Sequence, residues 1–344
     1  MEVSAPLRLD LDGDALVANW RTMAAMSGSA ACGAAVKADG YGLGAAAVVP
    51  RLAAAGCRDF FCATWAEAIA LAPHGVPVAV LHGVRAADMD VALALPAARP
   101  VLNTPAQVRR WREAGGGACD VMVDTGMNRL GLAAEDVAAG LLDGLTIDVL
   151  MSHLACADED VPANARQLGA LLALRDRVPA RRLSLANSAG VALGPDYHFD
   201  LTRPGIALYG GVVRPELAGV RQVAYPSAEV LQRRTVRAGE SVGYNATWTA
   251  TCDTEVVLIN FGYADGYGCG FSNRGTARFG DTALPVLGRV SMDLTALDAS
   301  DVPSLGEGDW VTIDFDLIAA AAASGRSPYE LLTGLGDRFE RRWR

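Results

Sequence analysis

The stretch LTIDVLMSHL (145–154), followed by ANARQLGALLALRDRV (163–178) and RRLSLANS (181–188), contains an apolar run, a helical pattern and a second apolar run. This order indicates two parallel strands joined by a crossover helix. Eight short apolar or β-branched runs occur before residue 211, each followed by a helical or turn segment: 32–37, 59–65, 77–83, 99–103, 119–126, 145–154, 181–188 and 200–210. Eight such repeats predict an α/β fold, a closed (β/α)8 TIM barrel.

From about residue 225 the pattern changes to a period of two. RVSMDLTALD (289–298) and WVTIDF (310–315) alternate apolar and polar residues, which indicates half-buried antiparallel strands. Ser327-Pro328-Tyr329-Glu330 is typical of a helix N-terminus, with Ser327 as the cap and Glu330 as its reciprocal partner. We therefore expect two domains, a barrel at 1–225 and a mostly antiparallel β domain at 226–344.

The composition excludes several classes of protein. In 344 residues, Asp and Glu exceed Lys and Arg by 39 − 30 = 9, which argues against nucleic acid or an anionic membrane as the main partner. The apolar runs are short, and the acidic start does not resemble a signal peptide. Seven dispersed cysteines form no CxxC pair, and no Cys/His group has zinc-site spacing. We expect a soluble cytoplasmic protein without a metal site.

A single lysine, Lys37, occurs among thirty basic residues, of which the other 29 are arginines. A guanidinium group stays charged, whereas a lysine amine can lose its proton and form a Schiff base or abstract a proton. Lys37 ends an apolar run in AAVKADGYGLGA (34–45) and precedes a Gly-rich turn. Although chance retention at a tolerant position is the alternative, this context favours amine chemistry.

Polar residues follow the predicted strands, at the end of a barrel where active sites are found. They are Lys37, Asn103, Asp124, Thr125, Arg129, His153, Asn187, Ser188 and Arg203. Phosphate sites after the seventh and eighth strands are common in this fold, and Tyr41, Ser188, Gly205 and Ile206 are suited to form one. A reactive lysine beside a phosphate site points to pyridoxal phosphate as the cofactor.

The chain resembles bacterial alanine racemases over nearly its whole length. The motifs that carry the resemblance occur in the order found in that family: AVKADGYGLGA (35–45), VDTGMNRLG (123–131), MSHLACAD (151–158), LANSAG (185–190), TRPGIALYGG (202–211), VGYNATWTA (242–250), NFGYADGY (260–267) and LGRVSMDLTALD (287–298). The resemblance implies interconversion of L- and D-alanine to supply D-alanine for peptidoglycan. It also implies a head-to-tail homodimer in which the C-terminal β domain completes the partner subunit's active site.

The same resemblance implies a role for each matching residue. Lys37 would carry pyridoxal phosphate and act as the base on one face of the substrate Cα, and Tyr244 from the partner would be the base on the other face. Because a phenol with a pKa of about 10 is a poor base at neutral pH, Tyr244 needs polar or cationic neighbours, a role that the family gives to His153 and Arg203.

The remaining implied contacts concern binding. Arg203 would hydrogen-bond the pyridine nitrogen and keep it unprotonated, which favours return of the proton to Cα over transamination. Tyr41, Ser188, Gly205 and Ile206 would bind the cofactor phosphate. Arg129 and the backbone at Met292 would hold the substrate carboxylate, and Tyr263 would line the substrate entrance.

Three positions depart from the family pattern. Met122 replaces a lysine that is commonly carbamylated seven residues before the arginine matched by Arg129, so Arg129 must be positioned by another group. Trp343 replaces a tyrosine of the C-terminal pattern, and Leu43 replaces a frequent histidine.

Three alternatives to an alanine racemase stay open. They are a racemase of wider amino-acid specificity, a pyridoxal phosphate decarboxylase of the same architecture, and a non-catalytic protein that carries the cofactor. The decarboxylase would need an acidic partner for the pyridine nitrogen, where this chain has Arg203.

Overall fold

The structure is a computed structural model that describes residues 5–344. These residues form two compact units. One is Leu16–Arg221, and the other combines the described residues up to Ala15 with Gln222–Arg344. We refer to them as the barrel unit and the β unit.

The barrel unit contains all eight predicted strands. Seven of them form one parallel sheet in chain order: Ala34–Ala35, Phe60–Cys62, Val78–Val80, Ala98–Leu102, Cys119–Met122, Ile147–Met151 and Ala180–Ser184. The eighth strand, Leu201–Thr202, pairs in parallel with Ala31–Cys32, the beginning of the first strand, and Gly33 N–H donates to the Thr202 carbonyl at 2.9 Å. On the other side, Asp200 N–H donates to the Leu183 carbonyl at 3.1 Å, so the eighth segment bridges the seventh and first strands and the predicted TIM barrel is confirmed.

Gly33 interrupts the first strand for a steric reason. A Cβ at this position would lie 2.8 Å from the carbonyl oxygen of Asp59, on the neighbouring segment. The backbones at Gly33 and Asp59 therefore lie too close together for any residue with a side chain at position 33.

Helices connect the barrel strands, as the helical patterns predict. The long ones carry apolar residues on the buried face, and Thr64 and Thr104 cap two of them by accepting a hydrogen bond from the third helical residue. The helices of this part of the chain are Gly13–Met26, Ala45–Ala55, Trp65–Leu71, Met89–Ala94, Pro105–Glu113, Ala134–Ala138, Pro162–Leu172 and Ser188–Ala192.

The N-terminal halves of the barrel strands are joined by a network of ion pairs in which Asp120 and Asp148 are buried and the other members are partly buried. Arg99 lies 3.0 Å from Asp148 and 3.4 Å from Asp120, while Arg182 lies 2.7 Å from Asp59 and 2.9 Å from Asp148. The network therefore ties together segments of the second, fourth, fifth, sixth and seventh strands, at the end opposite the predicted site.

The β unit contains an eight-stranded sheet that is antiparallel apart from one pair. Its order is Thr254–Ile259, Thr295–Asp298, Thr282–Leu287, Thr276–Phe279, Trp310–Ile313, Ala224–Val236, Leu7–Leu11 and Glu340–Trp343. Because the long strand Ala224–Val236 also pairs with Thr254–Ile259, six strands close into a ring. A separate hairpin joins Ser241–Val242 to Trp248–Thr249. The predicted mostly antiparallel domain is thus confirmed.

Details of this unit differ from the sequence-based expectation. Val311 and Ile313 are buried on strand Trp310–Ile313, as the alternation predicts, but residues 291–294 form a turn closed by the Ser291 N–H and the Leu294 carbonyl. The alternation in RVSMDLTALD therefore overestimates the strand. Helix Leu317–Ser324 precedes helix Pro328–Thr333, which has the predicted capping box between Ser327 and Glu330.

The first strand of the chain also differs from the predicted division at 225/226. Leu7–Leu11 pairs with Ala224–Val236 and runs parallel to Glu340–Trp343, so it belongs to the β unit. Only these distant pairings reveal its position. Among the described residues, no helix has both the length and the hydropathy that a bilayer crossing requires.

Candidate active site

Lys37 follows the first barrel strand and begins a left-handed turn. Ala38, Asp39 and Gly40 have φ values of 52°, 51° and 63°, and Tyr41 has a φ of 56°. Left-handed backbone costs about 1–2 kcal/mol for each residue with a Cβ, and such strain concentrates at functional sites. The turn is held by Gly40 N–H to the Val36 carbonyl at 2.8 Å, and by Asp39, whose Oδ1 accepts from Ala45 N–H at 2.8 Å.

The Lys37 amine lies in surroundings that favour its neutral form. The side chain is half-buried, and burial lowers its pKa. The positive charges of Arg129 and Arg203 lower the pKa further, whereas the negative charge of Glu67 raises it. A lysine with a lowered pKa is the form needed for nucleophilic or base chemistry near neutral pH.

Ser188, Gly205 and Tyr41 form a cup at the ends of the seventh, eighth and first strands. Ser188 Oγ accepts hydrogen bonds from Gly205 N–H at 2.9 Å and from Ala207 N–H at 3.2 Å. A Cβ on Gly205 would lie 2.1 Å from the Tyr41 hydroxyl, so the tyrosine closes over bare backbone. Ile206, the next residue, is buried and starts the short helix Ile206–Tyr209. The predicted phosphate-binding residues are therefore brought together.

Two supporting residues of this cup were missed by the sequence analysis. Tyr209 is fully buried, stacks on the Tyr41 ring with centroids 4.6 Å apart, and donates its hydroxyl to the Ala35 carbonyl at 2.9 Å. Asn187, noted only as a polar strand end, caps helix Ser188–Ala192 by accepting from Gly190 N–H at 2.8 Å. These contacts fix the positions of Tyr41 and Ser188.

Arg203 and His153 lie side by side after the eighth and sixth strands. Arg203 is buried, and its guanidinium donates to Ser184 Oγ, to the Ser152 carbonyl at 2.6 Å and to His153 Nδ1 at 3.5 Å. Burial lowers the pKa of Arg203 to about 10, so it remains a cation at neutral pH. Ser184 and Ser152 are buried polar residues inside two strand segments, and the sequence pattern did not distinguish them from core residues.

Arg129 lies on the loop after the fifth strand. Asp124 Oδ1 organises this loop by accepting from the N–H groups of Gly126, Met127 and Asn128 at 2.8, 2.9 and 3.1 Å. Arg129 is exposed and makes no hydrogen bond or ion pair with any residue in 5–344, and Met122 is buried at the end of the fifth strand. The chain thus supplies a guanidinium without a fixed protein partner.

The other three predicted site residues lie in the β unit and are exposed. Tyr244 is 68% exposed, Met292 is 54% exposed and Tyr263 is 45% exposed. Tyr263 and Met292 are on adjacent loops, since Tyr263 N–H donates to the Ser291 carbonyl and Ala264 N–H to the Met292 carbonyl, both at 3.0 Å. Tyr244 begins a short turn in which Asn245 and Ala246 have positive φ values of 63° and 47°.

A half-buried lysine with a lowered pKa, a cup of hydroxyl and backbone groups and a buried guanidinium lie at the C-terminal mouth of this barrel, and together they define a class of enzyme. Its members work through a lysine and hold a phosphorylated molecule beside it. Two family models match this chain: the N-terminal domain of alanine racemase over residues 11–213, and the C-terminal domain of alanine racemase over residues 223–343.

Similarity to individual proteins is equally extensive. An alanine racemase of Acidiphilium cryptum is 43% identical and is matched over 97% of each chain. A catabolic alanine racemase of Agrobacterium fabrum is 42% identical, over 97% of this chain and 91% of that protein. A crystal structure of Bartonella henselae alanine racemase with covalently bound pyridoxal phosphate has a TM-score of 0.91 at 34% identity, covering 99% of this chain and 100% of the other. The chain belongs to the alanine racemase family.

Proposed function

We propose that this protein interconverts L-alanine and D-alanine, with pyridoxal phosphate bound covalently to Lys37. One observation carries the proposal. The chain's single lysine begins a strained turn at the barrel mouth, and that turn also delivers Tyr41 to the cup formed with Ser188 and Gly205.

The residues of the cup fit the phosphate of this cofactor. The Ser188 and Tyr41 hydroxyl groups converge where Gly205 lacks a side chain, and a Cβ there would collide with the Tyr41 hydroxyl. Because Ser188 Oγ accepts from Gly205 N–H, its own O–H can donate. Donors of this kind suit a phosphate, which offers only acceptor oxygens at neutral pH. Lys37 would hold the aldehyde carbon, and Arg203 is the cation suited to face the pyridine nitrogen.

Racemisation needs one group to remove the Cα proton and another to return it on the opposite face. When bound, pyridoxal phosphate withdraws electrons from the Cα of the attached amino acid and makes its proton acidic. In our proposal Lys37 Nζ exchanges the proton on one face, and Tyr244 Oη of a second subunit exchanges it on the other. Arg203 keeps its proton at neutral pH and would therefore not transfer one to the pyridine nitrogen, which suits a site that must return the proton to Cα.

The exposure of the β-unit residues supports a homodimer with shared sites. Tyr244, Tyr263 and Met292 all present more than two-fifths of their surface to solvent in one chain. Large apolar side chains with this exposure are suited to an interface with a second subunit. We infer that they complete the partner's barrel site, with Tyr263 at its entrance and the Met292 backbone beside the substrate carboxylate.

Arg129 supports recognition of an amino-acid carboxylate. Its guanidinium is exposed at the barrel mouth, close enough to Lys37 and His153 to lower the pKa of both. A planar guanidinium binds a carboxylate through two parallel hydrogen bonds. We propose that substrate supplies the anion that Arg129 does not find in its own chain.

We further propose that the enzyme acts in the cytoplasm and supplies D-alanine for peptidoglycan. The free thiols of its seven cysteines suit a reducing compartment. Growth of a D-alanine auxotroph on expression of the gene tests this role, and failure of an active enzyme to support growth would contradict it.

A chiral assay of the purified protein with alanine, serine and lysine, with and without added pyridoxal phosphate, tests the activity. We expect alanine of either configuration to approach an equal mixture, at rates above those for serine and lysine. Comparable rates with all three substrates would instead establish a broad-specificity racemase, and release of carbon dioxide would establish a decarboxylase.

Substitution of Lys37 by alanine tests its assigned role. Since Lys37 is the only lysine, Lys37→Ala should abolish covalent cofactor retention and reduce racemisation by a factor of about 1,000 or more. Mass spectrometry after borohydride reduction measures the attachment. A Lys37→Ala protein that racemises alanine without an added amine would refute the mechanism.

A further inference from the structure

Glu67 makes a connection that helix capping does not require. It is the third residue of helix Trp65–Leu71, where it completes a capping box with Thr64. Its Oε2 accepts from Ala63 N–H at 2.6 Å and from Thr64 N–H at 3.1 Å. Its Oε1 accepts from Ala38 N–H at 2.6 Å, a residue 29 positions earlier in the chain. One carboxylate thus joins the start of this helix to the peptide that follows Lys37.

A hydrogen bond to the Ala38 amide affects the orientation of the Lys37 side chain. The peptide plane between Lys37 and Ala38 is oriented by ψ of Lys37 and φ of Ala38, so fixing its N–H also fixes the backbone from which the lysine side chain departs. Ala38 is the first residue of the left-handed turn, with φ 52° and ψ 50°. Residues in this conformation persist only where neighbouring groups hold them.

A second capping box in the same chain provides a comparison. In helix Pro328–Thr333, Glu330 Oε2 accepts from both Ser327 N–H and Ser327 Oγ at 2.8 Å, and both bonds stay within the box. The bond that Ala38 N–H donates to Glu67 is therefore an addition to the ordinary capping box.

We propose that Glu67 is a positioning residue of the active site, which orients Lys37 by holding the Ala38 amide and the left-handed turn. Glu67 acts through the backbone and touches no reacting atom. Its negative charge also opposes the effects of burial, Arg129 and Arg203 on the Lys37 amine. The inference rests on the proposed role of Lys37, but its central contact can be measured without cofactor or substrate.

Glu67→Gln tests the proposal with little change of shape. A glutamine has one acceptor oxygen, so it cannot serve both Ala38 and the helix N-terminus, and it has no charge. Thr64→Ala is the matched control, because it removes the reciprocal half of the same box, the bond from Glu67 N–H to Thr64 Oγ1 at 3.3 Å. Glu330→Gln repeats the carboxylate change in the other box.

The first measurement is hydrogen exchange of the Ala38 amide in the full-length protein. We expect Glu67→Gln to accelerate exchange at Ala38 by about tenfold or more, whereas Thr64→Ala and Glu330→Gln leave it close to wild type. Unchanged exchange in Glu67→Gln would overturn the proposal, and this result does not depend on whether the protein is a racemase.

The second measurement is attachment of pyridoxal phosphate to the full-length chain as a function of pH. Attachment requires the neutral amine, and loss of the Glu67 charge should move the midpoint of attachment to lower pH, while affinity weakens about tenfold because the turn is less well held. A purely structural capping role predicts equal effects in Glu67→Gln and Thr64→Ala, and that result would also refute the proposal. If the glutamine variant does not fold, Glu67→Asp keeps the charge but is too short to span both contacts, and the same exchange measurement applies.

Discussion

The histidine at position 153 illustrates how the barrel mouth controls a single residue. Burial is the largest cause that lowers the pKa of His153 to about 3, and the positive charges of Arg203, Arg129 and Lys37 lower it further. The ring is therefore neutral at physiological pH, and Nδ1 accepts from Arg203 because a guanidinium can only donate. His153 thus positions neighbours and carries no charge of its own.

This depressed pKa makes His153 destabilising in acid. The unfolded chain, with a histidine pKa of about 6.5, binds the proton before the folded chain does, so the free energy of unfolding falls as pH drops from about 6.5 towards 3. Between pH 7.5 and pH 4.5, His153→Gln should therefore lose about 2.5 kcal/mol less free energy of unfolding than the wild type does. Urea unfolding of both proteins at these two pH values measures it. Parallel losses in wild type and variant would contradict a neutral, buried His153.

At the scale of elements, the cup depends on one missing side chain. Gly205 has a φ of −128°, outside the left-handed region, and the closest contact of a Cβ added in Gly205→Ala would be with the Tyr41 hydroxyl. Displacement of Tyr41 should weaken binding of pyridoxal phosphate by about tenfold or more. Titration of the cofactor-free protein with pyridoxal phosphate, followed by absorbance, measures the affinity.

Gly169→Ala is the matched control for that experiment. Gly169 lies inside helix Pro162–Leu172, and a Cβ there meets no atom within 4 Å. Alanine should stabilise this helix by about 0.5–1 kcal/mol and leave cofactor affinity unchanged. If both variants weaken binding equally, the effect of Gly205→Ala does not arise in the cup.

The ion-pair network at the other end of the strands makes a separate prediction. Burial raises the pKa of Asp120 to about 6, although Arg99 opposes this change. The folded chain then binds a proton more tightly than the unfolded chain, and the associated stability is lost as pH rises from about 4 through 6. Asp120→Asn lacks the titrating group, so its stability relative to wild type should increase from pH 4 to pH 8. Thermal unfolding across this range checks the sign, and a decrease would show that Asp120 is stabilised as an anion.

Much of the element pattern was predictable, because it is local. Eight apolar runs separated by helical segments predicted the barrel, and alternation over 310–315 predicted a strand that forms with Val311 and Ile313 buried. The turn at 291–294 was not predictable in the same way. Its alternation matches a strand, and only the bonds that Ser291 makes to Leu294 show otherwise.

At the scale of the whole molecule, the proposed homodimer allows a complementation test. Lys37 lies in the barrel unit and Tyr244 in the β unit, and each is proposed to serve a site with the other from the partner chain. When inactive Lys37→Ala and Tyr244→Phe proteins are mixed and allowed to exchange subunits, each mixed dimer should contain one intact site. Random exchange should restore about a quarter of wild-type activity, as expected for a twofold-symmetric dimer.

The same mixture can disprove the arrangement. If Lys37 and Tyr244 of one chain shared a site, every site in the mixture would carry one substitution and no activity would return. Sedimentation of the mixture confirms that dimers have formed, so that absence of activity cannot be attributed to dissociation.

The amino-acid sequence alone determined the barrel, the β domain and the unusual status of Lys37, because periodicity, turn residues and composition are properties of neighbouring positions. The tertiary structure decided which residues that are distant in the sequence lie in contact. It placed strand Leu7–Leu11 in the β unit, brought Ser184 and Ser152 to Arg203, and joined Glu67 to Ala38. A glutamate three residues after a threonine predicts only a helix cap, since its second oxygen finds a partner that no local pattern specifies. Such contacts depend on the packing of strands that are distant in sequence.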